Sequence, residues 1–233
     1  QHRRATRLFR VHVAPDGLTD WGVLGAVIGR KAGSYWEVPV IEGIVQVPTS
    51  DEMKHFGAAM ASYGSTALFH IASITPECRT LADVGGDKLS SEEIRQSDLD
   101  ELLDPFGARG DKVDVVVFAA PQLSLIEMRQ VADLCRGHHR HAETDMIVCT
   151  AESVYADAVR MGYVDTIEAF GAKVLKGTCF YQQYAREIGE ANGWKRLLSN
   201  SAKIVNILGG YGYAPALASM EDCIASAIAG KVV

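Results

Sequence analysis

The stretch Val113-Asp114-Val115-Val116-Val117-Phe118 reads as a strand, with five apolar side chains in six positions. A strand wet on one side would alternate apolar and polar residues. A nearly unbroken apolar run means that both faces are covered, the mark of a parallel sheet with helices above and below. The sequence downstream agrees. Residues 122–135 read as a helix, with Leu123, Ile126, Val131 and Leu134 near one face and Ser124 placed to cap it. Residues 146–149 form the next buried strand, and residues 151–161 a helix that stops at Gly162. Residues 166–170 read as a helix fragment ending at Gly171, residues 173–175 as a strand leading to Cys179, and residues 221–229 as a last helix ending at Gly230.

Upstream the pattern is similar. Residues 8–13 alternate as a strand, and residues 21–28 follow as a helix with Asp20 as the expected N-cap. Residues 38–44 read as a second strand. Thr49-Ser50-Asp51-Glu52 opens a helix to about Tyr63, with Ser50 or Thr49 able to cap it and the acidic residues suited to the positive end of the helix dipole. Residues 66–71 read as a third strand that delivers His70, Ser73 and Thr75. From Arg79 to Gly110 the pattern decays into an irregular connection with one short helix. Alternating strands and helices predict an α/β protein with parallel sheets flanked by helices. The lobe boundary is expected near Gly107 to Gly110, giving an α/β lobe over residues 1–108 and a second over 109–233.

At 233 residues, with 48% apolar and 22% charged residues, the chain can bury roughly 70–75% of its unfolded surface without a staple. A formal net charge of −6 argues against nucleic acid as a partner, because phosphate binding needs a positive face. The basic start, His2-Arg3-Arg4-Ala5-Thr6-Arg7, reads as a solvated segment. No run of 18 apolar residues is present, so no membrane span is expected, and no leader opens the chain. Cys78, Cys135, Cys149, Cys179 and Cys223 are odd in number and widely spaced, which predicts free thiols in a reducing, cytoplasmic compartment. The chain begins at Gln1 rather than methionine, as a processed protein or part of a longer polypeptide would.

The chemistry should sit where parallel strands end, since ligands bind at their carboxyl ends. Three strands end there in unusual polar residues: His70, Ser73 and Thr75; Cys149 and Thr150; Thr178 and Cys179. Two cysteines at one edge could share iron or an iron–sulfur cluster, because thiolates are soft ligands. Buried cysteines also serve as small apolar packing groups, the role expected of Cys135 and Cys223. His70 could equally be a satisfied core group. The cluster His138-His139-Arg140-His141 lies at the opposite edge and reads as a solvated loop. Asn200-Ser201-Ala202-Lys203 could hold a carboxylate through the Lys203 ammonium and the Ser201 hydroxyl, or could cap a helix. Gly209-Gly210-Tyr211-Gly212 is no phosphate loop, because it lacks the Gly-Lys-Ser/Thr signature and Pro215 follows.

The string from Phe56-Gly57-Ala58-Ala59-Met60 through Ser65-Thr66-Ala67-Leu68-Phe69-His70, followed by Ile74-Thr75-Pro76-Glu77, resembles the aconitase X family. So do Leu24-Gly25-Ala26, Gly177-Thr178-Cys179 and Asn200-Ser201-Ala202-Lys203. The resemblance implies three-layer aconitase-like lobes and the C-terminal part of a larger catalytic domain. It also implies a hydro-lyase acting on a small hydroxy acid, either cis-3-hydroxy-L-proline, converted to pyrroline-2-carboxylate, or phosphomevalonate; the alternative of another class is a non-catalytic α/β binding module that keeps the fold without the chemistry. The segments 177–184 and 206–213 look more like the hydroxyproline type. Ala119-Ala120-Pro121-Gln122 departs from the Gly-Cys-Pro-His that many relatives carry, which shifts weight toward Cys149 and Cys179 as ligands. The implied cofactor is mononuclear iron or an iron–sulfur cluster such as 2Fe–2S, as the Lewis acid of a β-elimination. By the same resemblance Ser201, Lys203 and His70 take catalytic roles, and Asn200, Ser73 and Thr75 meet the substrate. The implied partners are the N-terminal half of the large domain, which would bring a third ligand, and a small swivelling domain or subunit, which would bring a serine base.

Overall fold

The structure, a computed structural model, describes residues 3–103 and 107–233. Gln1 and His2, the first residues of the basic start, lie outside them; Arg3 and Arg4 are exposed. The chain forms two compact units, residues 1–104 and 105–233.

In the first unit, β1 (Arg7–Val11), β2 (Pro39–Glu42), β3 (His70–Ile71) and β4 (Ser91–Ile94) form one parallel sheet in the order β3-β2-β1-β4. Leu8 and Val40 turn to a face closed by Ala5, Cys78 and Val84. The helix α1 (Gly17–Ala32) packs on α2 (Ser50–Gly64). Its N-cap is Asp16, one turn before the expected Asp20, which sits inside the first turn and accepts the Asp16 N–H at 3.2 Å. Of the two candidate caps of α2 it is Thr49 that serves: Thr49 and Glu52 each accept the other's backbone N–H. The two helices touch through glycine, and a Cβ at Gly29 would stand 2.5 Å from the Met60 carbonyl oxygen.

β4 was not anticipated, since Ser90-Ser91-Glu92-Glu93 lacks the apolar pattern of a strand. It is an edge strand whose carboxylates pair with β1 and the residue after it: Glu92 with Arg7, and Glu93 with His12 and, at 3.6 Å, Arg10. Charge on an edge strand also discourages pairing with other chains. The short helix expected in this region is α3 (Gln96–Leu103).

The second unit is a five-stranded parallel sheet in the order β7-β6-β5-β8-β9. Its strands are β5 (Val115–Leu123), β6 (Asp145–Thr150), β7 (Lys173–Lys176), β8 (Arg196–Ser199) and β9 (Ala214–Leu217). β5 is central and buried from Val115 through Ala120, as its apolar run requires. The helices are α4 (Leu125–Cys135), α5 (Glu152–Arg160), α6 (Tyr163–Ala169), α7 (Ala185–Asn192), α8 (Ala202–Leu208) and α9 (Met220–Ala229). α4 packs with α5, α6 and α9. Ala185 of α7 and Ile204 and Leu208 of α8 join the cluster around Val115, Val117 and Ala119. Ser124 caps α4 in a reciprocal box with Glu127. β8, β9, α7 and α8 were not separately anticipated. The two strands are four residues long, and Pro215 sits in β9, an edge strand that can spare its N–H. The chain runs outward from β5 through β6 to β7, then returns to the other side of β5 for β8 and β9. That reversal makes a switch point between the carboxyl ends of β5 and β8, where open α/β sheets bind ligands. No helix among the described residues is long and apolar enough to cross a membrane.

Candidate active site at the second sheet

Buried hydroxyls fasten the strand ends at the switch point. The Thr150 hydroxyl donates to the Leu123 carbonyl at 2.7 Å, and the Ser199 hydroxyl donates to the Val117 carbonyl at 2.6 Å. Ser201 follows β8 and caps α8; its hydroxyl accepts the Ile204 N–H at 3.2 Å and donates to the Ala120 carbonyl at 2.8 Å. Ala120 holds φ at 42°, left-handed backbone that costs a residue with a Cβ on the order of 1–2 kcal/mol.

Cys149 ends β6 and is fully buried, and Cys179, after β7, is 8% exposed; both join one cluster with Ala120, Phe180 and Ile204. Burial pushes the Cys149 thiol up to about 12, the neighbouring Cys179 adds to the rise, and the Phe180 N–H opposes it. Burial also raises Cys179, against the N–H groups of Tyr181, Ala120 and Phe180 and the Lys203 ammonium. Two thiols thus share a pocket of backbone N–H donors beside a cation. Those donors oppose the rise without overcoming it, so the metal-free thiols are neutral; a pair of soft sulfurs beside them could hold a metal as thiolates. Among the described residues no group of three or more His, Cys, Asp or Glu side chains could hold a metal ion, so the pair is what this chain offers.

Lys203 stands at the start of α8, half-buried, with no carboxylate partner among the described residues. Asn200 is 2% exposed in the turn before it. The structure therefore gathers Cys149, Cys179, Asn200, Ser201 and Lys203 at one sheet edge. Of the two readings of residues 200–203, the helix cap is realised, and the Lys203 ammonium remains available beside it.

His70, Ser73 and Thr75 belong to the first unit, at the carboxyl end of β3. The His70 ring is fully buried; Nε2 lies 2.8 Å from the Arg3 carbonyl oxygen. Its Nδ1 lies 3.4 Å from Glu77, an ion-pair distance without hydrogen-bond geometry. Ser73 donates to the Arg79 carbonyl at 3.2 Å, and Thr75 exchanges two 3.1 Å bonds with Ile71. All three hydrogen-bond within their own unit. The loop carrying His138, His139 and His141 precedes β6 at the amino edge, where Arg140 donates to the carbonyls of Gly171 and Thr144, both at 2.9 Å.

Sequence reasoning missed the backbone donors of Ala120, Phe180 and Tyr181, because every residue carries an N–H and only the fold aims it. It also missed Gln122, whose Nε2 donates to the Thr178 carbonyl at 2.7 Å. A polar side chain directly after the strand-end proline was the available signal.

Comparison with known proteins matches residues 5–104 to the aconitase X second domain and residues 113–229 to the aconitase X third domain. A phosphomevalonate dehydratase large subunit of Methanocaldococcus jannaschii is 32% identical over 190 residues, covering 80% of this chain and 44% of that protein. A cis-3-hydroxy-L-proline dehydratase of Hypocrea jecorina is 34% identical over 189 residues, covering 78% of this chain and 30% of that protein. A crystal structure of Thermococcus kodakaraensis aconitase X in its holo-form superposes with a TM-score of 0.82 at 25% identity, covering 97% of this chain and 55% of that one. The chain spans less than half the length of both curated relatives.

Proposed function

The chain belongs to the aconitase X family, and we propose that it supplies the second and third domains of a dehydratase that removes water from a small hydroxylated carboxylate. The observation that carries this reading is the meeting of Cys149, Cys179 and Lys203 at the carboxyl ends of the strands of the second sheet. The favoured substrate is cis-3-hydroxy-L-proline. A single ammonium without a carboxylate partner suits one carboxylate, whereas a phosphate calls for more cationic partners. A phosphomevalonate-type substrate is the second reading, favoured by the identity to the Methanocaldococcus jannaschii protein.

Loss of the C2 proton and the C3 hydroxyl would give an enamine that tautomerises to pyrroline-2-carboxylate. When bound at Cys149 and Cys179, iron or an iron–sulfur cluster would supply a Lewis acid for the departing hydroxide. Lys203 would neutralise the substrate carboxylate and stabilise the charge that builds at C2. Asn200 would orient that carboxylate, and Ser201 would hold the turn that presents both. The apolar wall of Ala119, Phe180 and Ile204 would keep water from the site. The base and the remaining metal ligand are assigned to partners: the family's first domain and a small domain or subunit, in keeping with the name "large subunit" on one relative. Buried free thiols fit a reducing compartment, the cytoplasm.

Anaerobic iron and sulfide analysis of the complete enzyme tests this, with both substrates assayed. Cys179→Ser is expected to lose iron and dehydratase activity while keeping its fold. Full activity in Cys179→Ser would overturn the metal assignment, and turnover of phosphomevalonate alone would select the second reading.

A further inference from the structure

The Ser201 side chain is 1% exposed, so little water competes for its hydroxyl. Capping α8 uses the hydroxyl only as an acceptor for the Ile204 N–H, and glycine, which lacks that acceptor, still replaces serine at an N-cap at little cost. The donation to the Ala120 carbonyl is therefore surplus to the cap. Ala120 is where that bond has leverage. Its φ of 42° is one a Cβ resists, and Pro121 after it has a fixed φ and no N–H. Left to itself, an alanine here would relax toward negative φ. Ala120 and Cys179 pack in one buried cluster, and the Ala120 N–H acts on the Cys179 sulfur as a donor. Gln122 holds the two segments together from the far end, through the Thr178 carbonyl.

We propose that Ser201 is a positioning residue for Cys179: its hydroxyl locks Ala120 in the left-handed conformation that presents the Ala120 N–H to the Cys179 sulfur. Thr144 provides a matched comparison within the fold, whereas Ser199 does not, because its hydroxyl also accepts the Ser201 N–H at 3.2 Å. The Thr144 hydroxyl bonds the Val113 carbonyl at 2.7 Å, just before β5, and is as deeply buried. It lies at the amino end of the sheet, so the loss of the Thr144 hydroxyl should cost stability without moving Cys179.

Amide exchange on the 233-residue chain reads the lock directly. In Ser201→Ala and Ser201→Gly the Ala120 amide should exchange about tenfold faster or more, while Val117 stays within about twofold of wild type, the mark of local rather than global opening. Ser201→Thr should restore the slow rate, and Thr144→Val, which removes only a hydroxyl at the other end of the sheet, should leave Ala120 unchanged. The glycine variant guards against misfolding, because glycine is well tolerated at an N-cap even though it gives up the bond from the Ile204 N–H. The effect on metal rests on the dehydratase reading. With Cd2+ alone as the probe, followed by its thiolate absorption, binding should weaken about 10–100-fold in both hydroxyl-less variants, as when the outer partner of a ligand is lost. An unchanged Ala120 exchange rate in those variants overturns the proposal. A wild-type chain that takes no Cd2+ counts against the iron reading, and the exchange rates then decide the role of Ser201 by themselves.

Discussion

Asp114 shows what one residue contributes when the backbone converges on it. Its carboxylate accepts the N–H groups of Lys195 at 2.9 Å and Arg196 at 2.8 Å, with the Lys112 ammonium 3.3 Å away. Burial pushes this carboxyl up, but the Arg196 and Lys195 N–H groups and Lys112 outweigh it and hold it below the usual carboxylate range. A depressed value in the folded state means stability that is present above the ordinary value of 3.8 and lost as pH falls through the lower folded one. Asp114→Asn should cost about 1.5–3 kcal/mol at neutral pH, the range for hydrogen bonds to a charged group. Urea melts at pH 7 and near pH 2.5 check the sign: the gap should close as wild type is protonated, and a gap unchanged at low pH would exonerate the charge. Asp114 was visible in the sequence only as the polar exception in an apolar strand. Its partners lie 81 and 82 residues away and meet it only in the fold.

At the scale of elements, the pairing of α1 and α2 depends on glycines that let backbones approach. Gly29→Ala would set its Cβ 2.5 Å from the Met60 carbonyl oxygen and 2.9 Å from the Met60 Cα, and neither backbone atom can rotate away. Alanine gains about 1 kcal/mol in helix propensity, and overpacking costs about 1–3 kcal/mol, so net destabilisation is expected. Gly209→Ala is the control. It follows α8 at φ −54° with nothing within 4 Å of the added Cβ, so thermal melts should find it neutral or slightly stabilising. Helices whose caps are local were legible: Thr49 with Glu52 and Ser124 with Glu127 close over three residues. β4 was not, because its charged side chains find their partners in Arg7 and Arg10 of the neighbouring strand and in His12 just beyond it.

Across the whole molecule, all five cysteines are free and buried. Burial pushes Cys135 and Cys149 up to about 12, and raises Cys78, Cys179 and Cys223 as well. A raised thiol is neutral near pH 8, so stability linked to these protonated groups is full below their ordinary value of 9.0 and declines as pH rises toward about 12. A disulfide-exchange reagent at pH 8 should therefore find no fast thiol in the native metal-free chain and all five in guanidinium. A fast-reacting thiol in the native chain would show a site more open than this fold allows.

Local patterning by itself determined the α/β class, the buried central strand, the two boxed helix caps and the motifs that resemble aconitase X. Each depends on neighbours within a few residues, where periodicity and capping act. Only the tertiary structure decided that Cys149, Cys179 and Lys203 share one edge while His70, Ser73 and Thr75 serve another sheet. Only it aimed the N–H groups of Ala120, Phe180 and Tyr181 at sulfur. The reason is physical: where parallel strands end in space is set by strand order and crossover direction, and the order β7-β6-β5-β8-β9 exists only once the sheet has assembled.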